Sequence, residues 1–297
     1  MSTVNAVIDA HQHVWDLQRA RYDWLGPDLG PINRTITFDE LQPSLVRAGV
    51  DATVLVEAAD NVEDTQLMFD TAAAHPEVVG IVAYVPLDRP GEAEEQLDRL
   101  RTNSLTVGVR NLIHTLPDPD WLLGPEVDAG LGLLEEAGLA FDVVSVLPRH
   151  LELVPIISER HPELRMVIDH LSKPPIGLGS SQPWWDLMAE AAQNPLVYAT
   201  VSGLYSATPD ASSWTVGSLR PFFDRAMELF GPQRLMYGGD WPVSLIAGGY
   251  DRVWEGLGEL FDQLTVADRA DVLGGTSARF YRLDPQRIVT AVALRTK

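Results

Sequence analysis

What most constrains this chain is an alternation. Short β-branched or apolar runs occupy residues 6–10, 52–58, 79–85, 106–113, 140–146, 165–169, 196–202 and 235–239. Between and after them lie segments with amphipathic helical spacing, at 62–75, 91–101, 126–137, 148–161, 184–193, 216–230 and 250–263. The runs are apolar on both faces, as in TVLVEA, GIVAYV and RMVID. That is the pattern of parallel strands buried between helices and an interior. Strand followed by helix, repeated eight times, predicts a (β/α)8 barrel with its active site at the C-terminal ends of the strands. A doubly wound sheet is the runner-up, but it carries a Gly-rich phosphate loop after its first strand. Here the first run leads into His-Gln-His instead. With no linker, low-complexity segment or repeat, residues 1–297 read as one barrel domain.

Composition narrows the chemistry. The formal charge of −20, from 42 acidic and 22 basic residues, repels phosphate backbones and anionic lipid, so neither nucleic acid nor membrane is the expected partner. No apolar run reaches the length of a membrane span. The first residues lack a basic region followed by a long apolar stretch, so a cytoplasmic location is expected. There is no cysteine, which removes disulfides, thiolate catalysis and sulfur-ligated zinc. A bound metal has only His, Asp and Glu to hold it.

The polar residues at the predicted strand ends supply such a set. His11 and His13 close the first run, and side chains two apart on a strand face the same way. His170 follows the sixth run, and Asp240 follows the eighth in GGDWP. Alone, each has a bland reading: a chance His-x-His, a satisfied histidine, a turn. Their coincidence at three strand ends favours one site. Three imidazoles and a carboxylate suit one divalent metal, zinc by preference, with an open position. Arg110, in the fourth run, either meets a substrate carboxylate or hydroxyl or pairs with a nearby acid. Glu57 adds a carboxylate to the same mouth, and Lys173 and His114 lie just past strand ends. Trp15, Tyr22, Trp24, Trp121, Tyr205 and Trp241 fall in the loops. Trp24 and Trp241 are the aromatic candidates for a substrate ring, and the others seal the barrel. His75, His150 and His161 read as surface or terminal residues.

Together IDAHQHVWD, GVRNLI, VIDHLSKPPI, VSGL and FGPQRLMYGGDWPVS resemble the amidohydrolase superfamily, in particular its sugar-lactone and dicarboxylate-lactone hydrolases. The likeness runs from about residue 7 to residue 283. It implies a barrel that opens a lactone with water, Asp240 serving as general base and Arg110 meeting the substrate. His11, His13, His170 and Asp240 match the family's histidine and strand-eight aspartate positions. The chain departs from the family at Thr200, where a lysine is common, and at Glu57, where a glutamine is common. Both changes favour a neutral sugar lactone over a heavily anionic one. Strand five offers Asp142 and Ser145 but no histidine, so at most one metal is expected. A metal-dependent decarboxylase of a small unsaturated or aromatic acid is the competing activity. The apolar, basic tail from Asp284 suits packing on the barrel or on a second copy in a homo-oligomer.

Overall fold

The computed structural model describes residues 6–295. In chain order its elements are β1 (Ile8–Gln12), α1 (Phe38–Ala48), β2 (Ala52–Val56), α2 (Val62–Ala74), β3 (Val78–Ala83), α3 (Pro90–Leu100), β4 (Thr106–Asn111), α4 (Pro125–Ala137), β5 (Ala140–Val143), α5 (Pro148–Arg160), β6 (Met166–Ile168), α6 (Trp184–Ala191), β7 (Val197–Val201), α7 (Val216–Phe230), β8 (Leu235–Tyr237) and α8 (Tyr250–Phe261). Three further helices follow: α9 (Val266–Ala270), α10 (Thr276–Phe280) and α11 (Pro285–Arg295). The eight strands run parallel in the order β1 to β8. Backbone bonds from Asp240 N–H to the His11 carbonyl (2.8 Å) and from His13 N–H to the Trp241 carbonyl (2.7 Å) bring the last strand end back to the first. The expected (β/α)8 barrel is what forms.

Two separate apolar clusters follow from the strands being buried on both faces. Leu55, Ile81, Val109, Phe141, Ile168, Ala199 and Tyr237 face outward and pack under the helices. Ala10, Val54, Val82, Val167 and Met236 instead join Phe280, Tyr281, Leu283, Ile288 and Ala291. These last five come from α10, α11 and the link between them, so the C-terminal segment forms the floor of the barrel. Of its two expected destinations the tail takes the barrel, against β2 and β3. Lys297 lies outside the described residues.

The structure also corrects details. The sequence reading has no helix between the first two strands, yet α1 is there. It starts at a capping box, with Thr37 and Glu40 satisfying each other's backbone N–H groups. Pro43, the sixth of its eleven residues, obscures the helical pattern. Several strands stop short of the predicted ends: β2 at Val56, β4 at Asn111, β5 at Val143 and β8 at Tyr237. The residues just beyond these ends are still buried, among them Glu57, Leu112, Val144 and Gly238. His150 and His161 are not surface residues; they are 2% and 7% exposed. His150 turns its Nδ1 toward the Val146 N–H, and His161 pairs with Asp128. Among the described residues no helix is long and apolar enough to cross a membrane.

Candidate active site

The mouth is assembled on a buried carboxylate, Asp9. Its oxygens accept from the backbone N–H of His11 (3.1 Å) and of Gly239 (2.9 Å), from the Tyr250 hydroxyl (2.8 Å) and from the Gln12 amide. One side chain thus fixes the two stretches that carry His11, His13 and Asp240. Burial pushes the Asp9 carboxyl up to about 6 although those four bonds pull it down. A Cβ on residue 239 would stand 2.5 Å from the Asp9 carboxylate. The second glycine of GGDWP is therefore a matter of space.

Hydrogen-bond partners reveal which imidazole nitrogens are free. His13 Nδ1 lies 2.8 Å from the Val56 carbonyl, which only accepts, so Nδ1 carries the hydrogen and Nε2 keeps its lone pair. His11 Nε2 faces the Arg110 guanidinium, a pure donor, at 3.4 Å, so its lone pair is turned toward Arg110. His13 Nε2 lies 3.6 Å from Asp240 Oδ1. Burial lowers His13 to about 4, partly opposed by Asp240, so the imidazole is neutral at physiological pH. Burial pushes Asp240 up, but His170, His13 and His11 outweigh it and hold the carboxyl well below the usual range. Its other oxygen, Oδ2, accepts from the Tyr205 hydroxyl at 2.7 Å.

One ligand atom from each of His11, His13 and Asp240 lies within 4.8 Å of the other two, and all three residues are buried. Two imidazoles and one carboxylate are the donor types that hold a divalent cation. His170 sits beside this trio, its ring centroid 4.6 Å from that of His11, but is not part of it.

Beneath the trio is an ionic layer. Arg110 Nε donates to Glu57 Oε1 (2.9 Å), its Nη1 to Asp169 Oδ2 (3.0 Å), and its Nη2 to the Glu57 carbonyl. Of the two roles open to Arg110, the geometry matches the structural one, since all three guanidinium nitrogens are engaged inside the barrel. Burial opposes the Arg110 charge, yet Glu57 and Asp169 raise its pKa further. Burial pushes Glu57 well up, with Arg110 pulling against it. Asp142, beside Arg110 in the β4–β5 register, is also pushed well up by burial and by the Asp169 charge, and it accepts from the Tyr281 hydroxyl at 2.7 Å. Arg110 is thus flanked by Glu57 and Asp169 in one buried layer.

After β6 the chain enters an uncommon conformation. His170, Leu171, Ser172 and Lys173 all have positive φ, between 44° and 58°. Each such L-residue costs roughly 1–2 kcal/mol. Anchors from outside hold the run: Thr200 Oγ1 accepts from His170 N–H (2.9 Å), Ser145 meets Ser172 (2.7 Å), and the Trp184 indole donates to the Leu171 carbonyl (2.6 Å). Asp240 is likewise left-handed, at φ 51°. Gly203, at φ 55°, lies between the two; a Cβ there would stand 2.6 Å from both Asp240 Oδ2 and His170 Nδ1.

The remaining candidates ring this centre. Lys173 ends the left-handed run half-buried, its ammonium pKa lowered by burial. His114 lies in a short turn after β4, half-buried rather than exposed, and burial with Arg110 and Lys173 nearby lowers it to about 4. Trp241 is buried and serves the site through its carbonyl, which holds His13. Trp24 is half-buried, pinned by its indole N–H to the Ala58 carbonyl at 2.7 Å. It lines a cavity of about 580 Å³ with Asp60, Asn61, Leu112, Thr115 and Leu116. Trp15 and Tyr22 are core residues, as their sealing role requires. The sequence reading gave Asp9, Asp169 and Ser202 no function. Asp169 directly precedes a candidate histidine, which is the one signal it offers.

The model of the family described as Amidohydrolase matches residues 8–283. The chain belongs to this family. The amidohydrolase is 35% identical over 282 residues to an L-fucono-1,5-lactonase of Burkholderia ambifaria, covering 93% of this chain and 96% of that one. It is 30% identical to an L-fucono-1,5-lactonase of Burkholderia multivorans, again over 93% of this chain and 96% of the relative. A crystal structure of an amidohydrolase from Burkholderia multivorans with bound zinc superposes with a TM-score of 0.85 at 28% identity, covering 94% of this chain and all of that one.

Proposed function

We propose that this amidohydrolase opens a sugar-derived lactone with water to give the hydroxy acid, and that Asp240 is the general base. The observation that carries this reading is the buried Asp240 carboxylate, with His13 on one oxygen and Tyr205 on the other. Asp240 takes a proton from the attacking water and returns it to the leaving ring alkoxide. His11, His13 and Asp240 would hold a divalent cation, zinc by preference, and such a cation when bound would acidify water and polarise the carbonyl. His170 faces the carbonyl side and donates to the developing oxyanion. Lys173 and His114 orient the substrate's oxygens, and Trp24 offers its face to the sugar ring. Arg110 acts from below by holding His11.

Lactone opening is preferred to decarboxylation because the whole-length relatives at 30% identity or more carry lactonase names. The test is Asp240→Asn assayed on a panel of sugar lactones with a pH indicator. The variant should keep its circular dichroism and melting temperature and lose about 1000-fold in kcat/KM. Retained turnover would sink the base assignment. Carbon dioxide release by the wild-type protein, with no lactone opened, would move the reading to a lyase. Chelation followed by zinc restoration should lower and then recover turnover; indifference to both removes the cation.

A further inference from the structure

Thr200 and Ser202 lie two apart at the end of β7, so their hydroxyls face the same way. Both residues are fully buried. Thr200 Oγ1 accepts from the His170 backbone N–H at 2.9 Å, Thr200 Oγ1 and Ser202 Oγ are 2.8 Å apart, and Ser202 Oγ is 2.8 Å from His170 Nδ1. The three residues close a ring that begins and ends on His170.

We propose that this ring fixes the tautomer of His170, placing its hydrogen on Nε2, and so keeps His170 a donor toward substrate and not a ligand for a cation. Counting hydrogens gives the direction. Thr200 Oγ1 already accepts from the His170 N–H. Its own hydrogen has one available acceptor among the described residues, Ser202 Oγ. The Ser202 hydrogen then goes to His170 Nδ1, which must be a lone pair, and every hydrogen in the ring has a partner. The opposite tautomer starts with Nδ1–H donating to Ser202, whose hydrogen passes to Thr200. The Thr200 hydrogen is then left buried with no acceptor, an arrangement folded proteins avoid. His170 retains 7% exposure. With Nδ1 and the backbone N–H both tied, Nε2 is the ring nitrogen left to meet an incoming molecule. A protonated Nε2 cannot ligate, which agrees with His170 lying beside the trio of His11, His13 and Asp240 and not within it. Thr200 and Ser202 are positioning residues that act through His170. The catalytic half of this inference rests on the lactonase reading; the tautomer does not.

Two readouts separate the claims. Long-range ¹H–¹⁵N correlation spectra of the full chain labelled at histidine should show His170 as the Nε2–H form. They should still do so after zinc is added, while His11 and His13 respond. Thr200→Val, nearly isosteric, should lose the tautomer preference and about 10-fold in kcat, with KM little changed. Thr200→Ser keeps the hydroxyl and should recover both. The assay substrate is a six-carbon sugar 1,5-lactone. An Nδ1–H signal in the wild-type protein, or loss of the His170 Nε2 hydrogen on adding zinc, overturns the proposal. So does a Thr200→Val variant with the wild-type tautomer and kcat. If the wild-type protein opens no lactone, the lactonase reading fails while the spectra still decide the tautomer.

Discussion

At the scale of single residues, the site works by fixing the orientation of its polar groups through named partners. Asp240 illustrates this. One oxygen is claimed by Tyr205 and the other faces His13, so the carboxylate has one orientation in which to meet a water. Tyr205→Phe should keep the fold and leave KM nearly unchanged while kcat falls about 10-fold, the equivalent of one hydrogen bond to a charged group. Steady-state kinetics on the same lactone checks this; an unchanged kcat would mean the phenol is mere packing. His11, His13, His170 and Asp240 could be found in the sequence because they sit at strand ends in a fold whose strand ends build active sites. Tyr205 read only as a loop aromatic, and Asp9 as an ordinary strand residue, because their roles come from partners more than thirty positions away. Arg110 shows the same limit. Its buried charge was plain, but whether it served substrate or structure depended on Glu57 and Asp169 standing within 3.0 Å.

At the scale of elements, the strands were legible from their apolar runs, and their inward-turning ends were not. Residues such as Ala58 and Gly239 continue the apolar or small-residue pattern beyond the last ladder residues of β2 and β8. Helix α1 went unread because an internal proline masks its periodicity, though Thr37 and Glu40 mark its start. The loop between β1 and α1 is stapled to α2 through Asp64, which accepts from the Tyr22 hydroxyl and from the Ala58 N–H, both at 2.8 Å. Burial raises the Asp64 carboxyl to about 6 despite these bonds. The folded state thus binds its proton more tightly than the unfolded chain does. The stabilisation is complete below the unfolded pKa near 4 and is lost as pH rises through about 6. The gap in melting temperature between wild type and Asp64→Asn should therefore narrow between pH 4 and 7. A gap that widens over that range contradicts the assignment.

At the scale of the whole molecule, floor and mouth are joined through the barrel axis. Tyr281, between α10 and α11, reaches up to Asp142, which lies against the Arg110–Asp169 pair that holds His11. Tyr281→Phe removes a donor from a fully buried carboxyl and should cost about 1–3 kcal/mol, seen as a lower urea midpoint. An unmoved midpoint would show that the floor and the ionic layer are independent. The left-handed run from His170 to Lys173 has a further consequence, for the order of assembly. Its strain is offset only by groups from elsewhere: Ser145 beyond β5, Thr200 in β7 and Trp184 in α6. None of these is positioned until the barrel wall around β6 exists. The segment that carries His170 therefore takes its working shape only inside an assembled barrel.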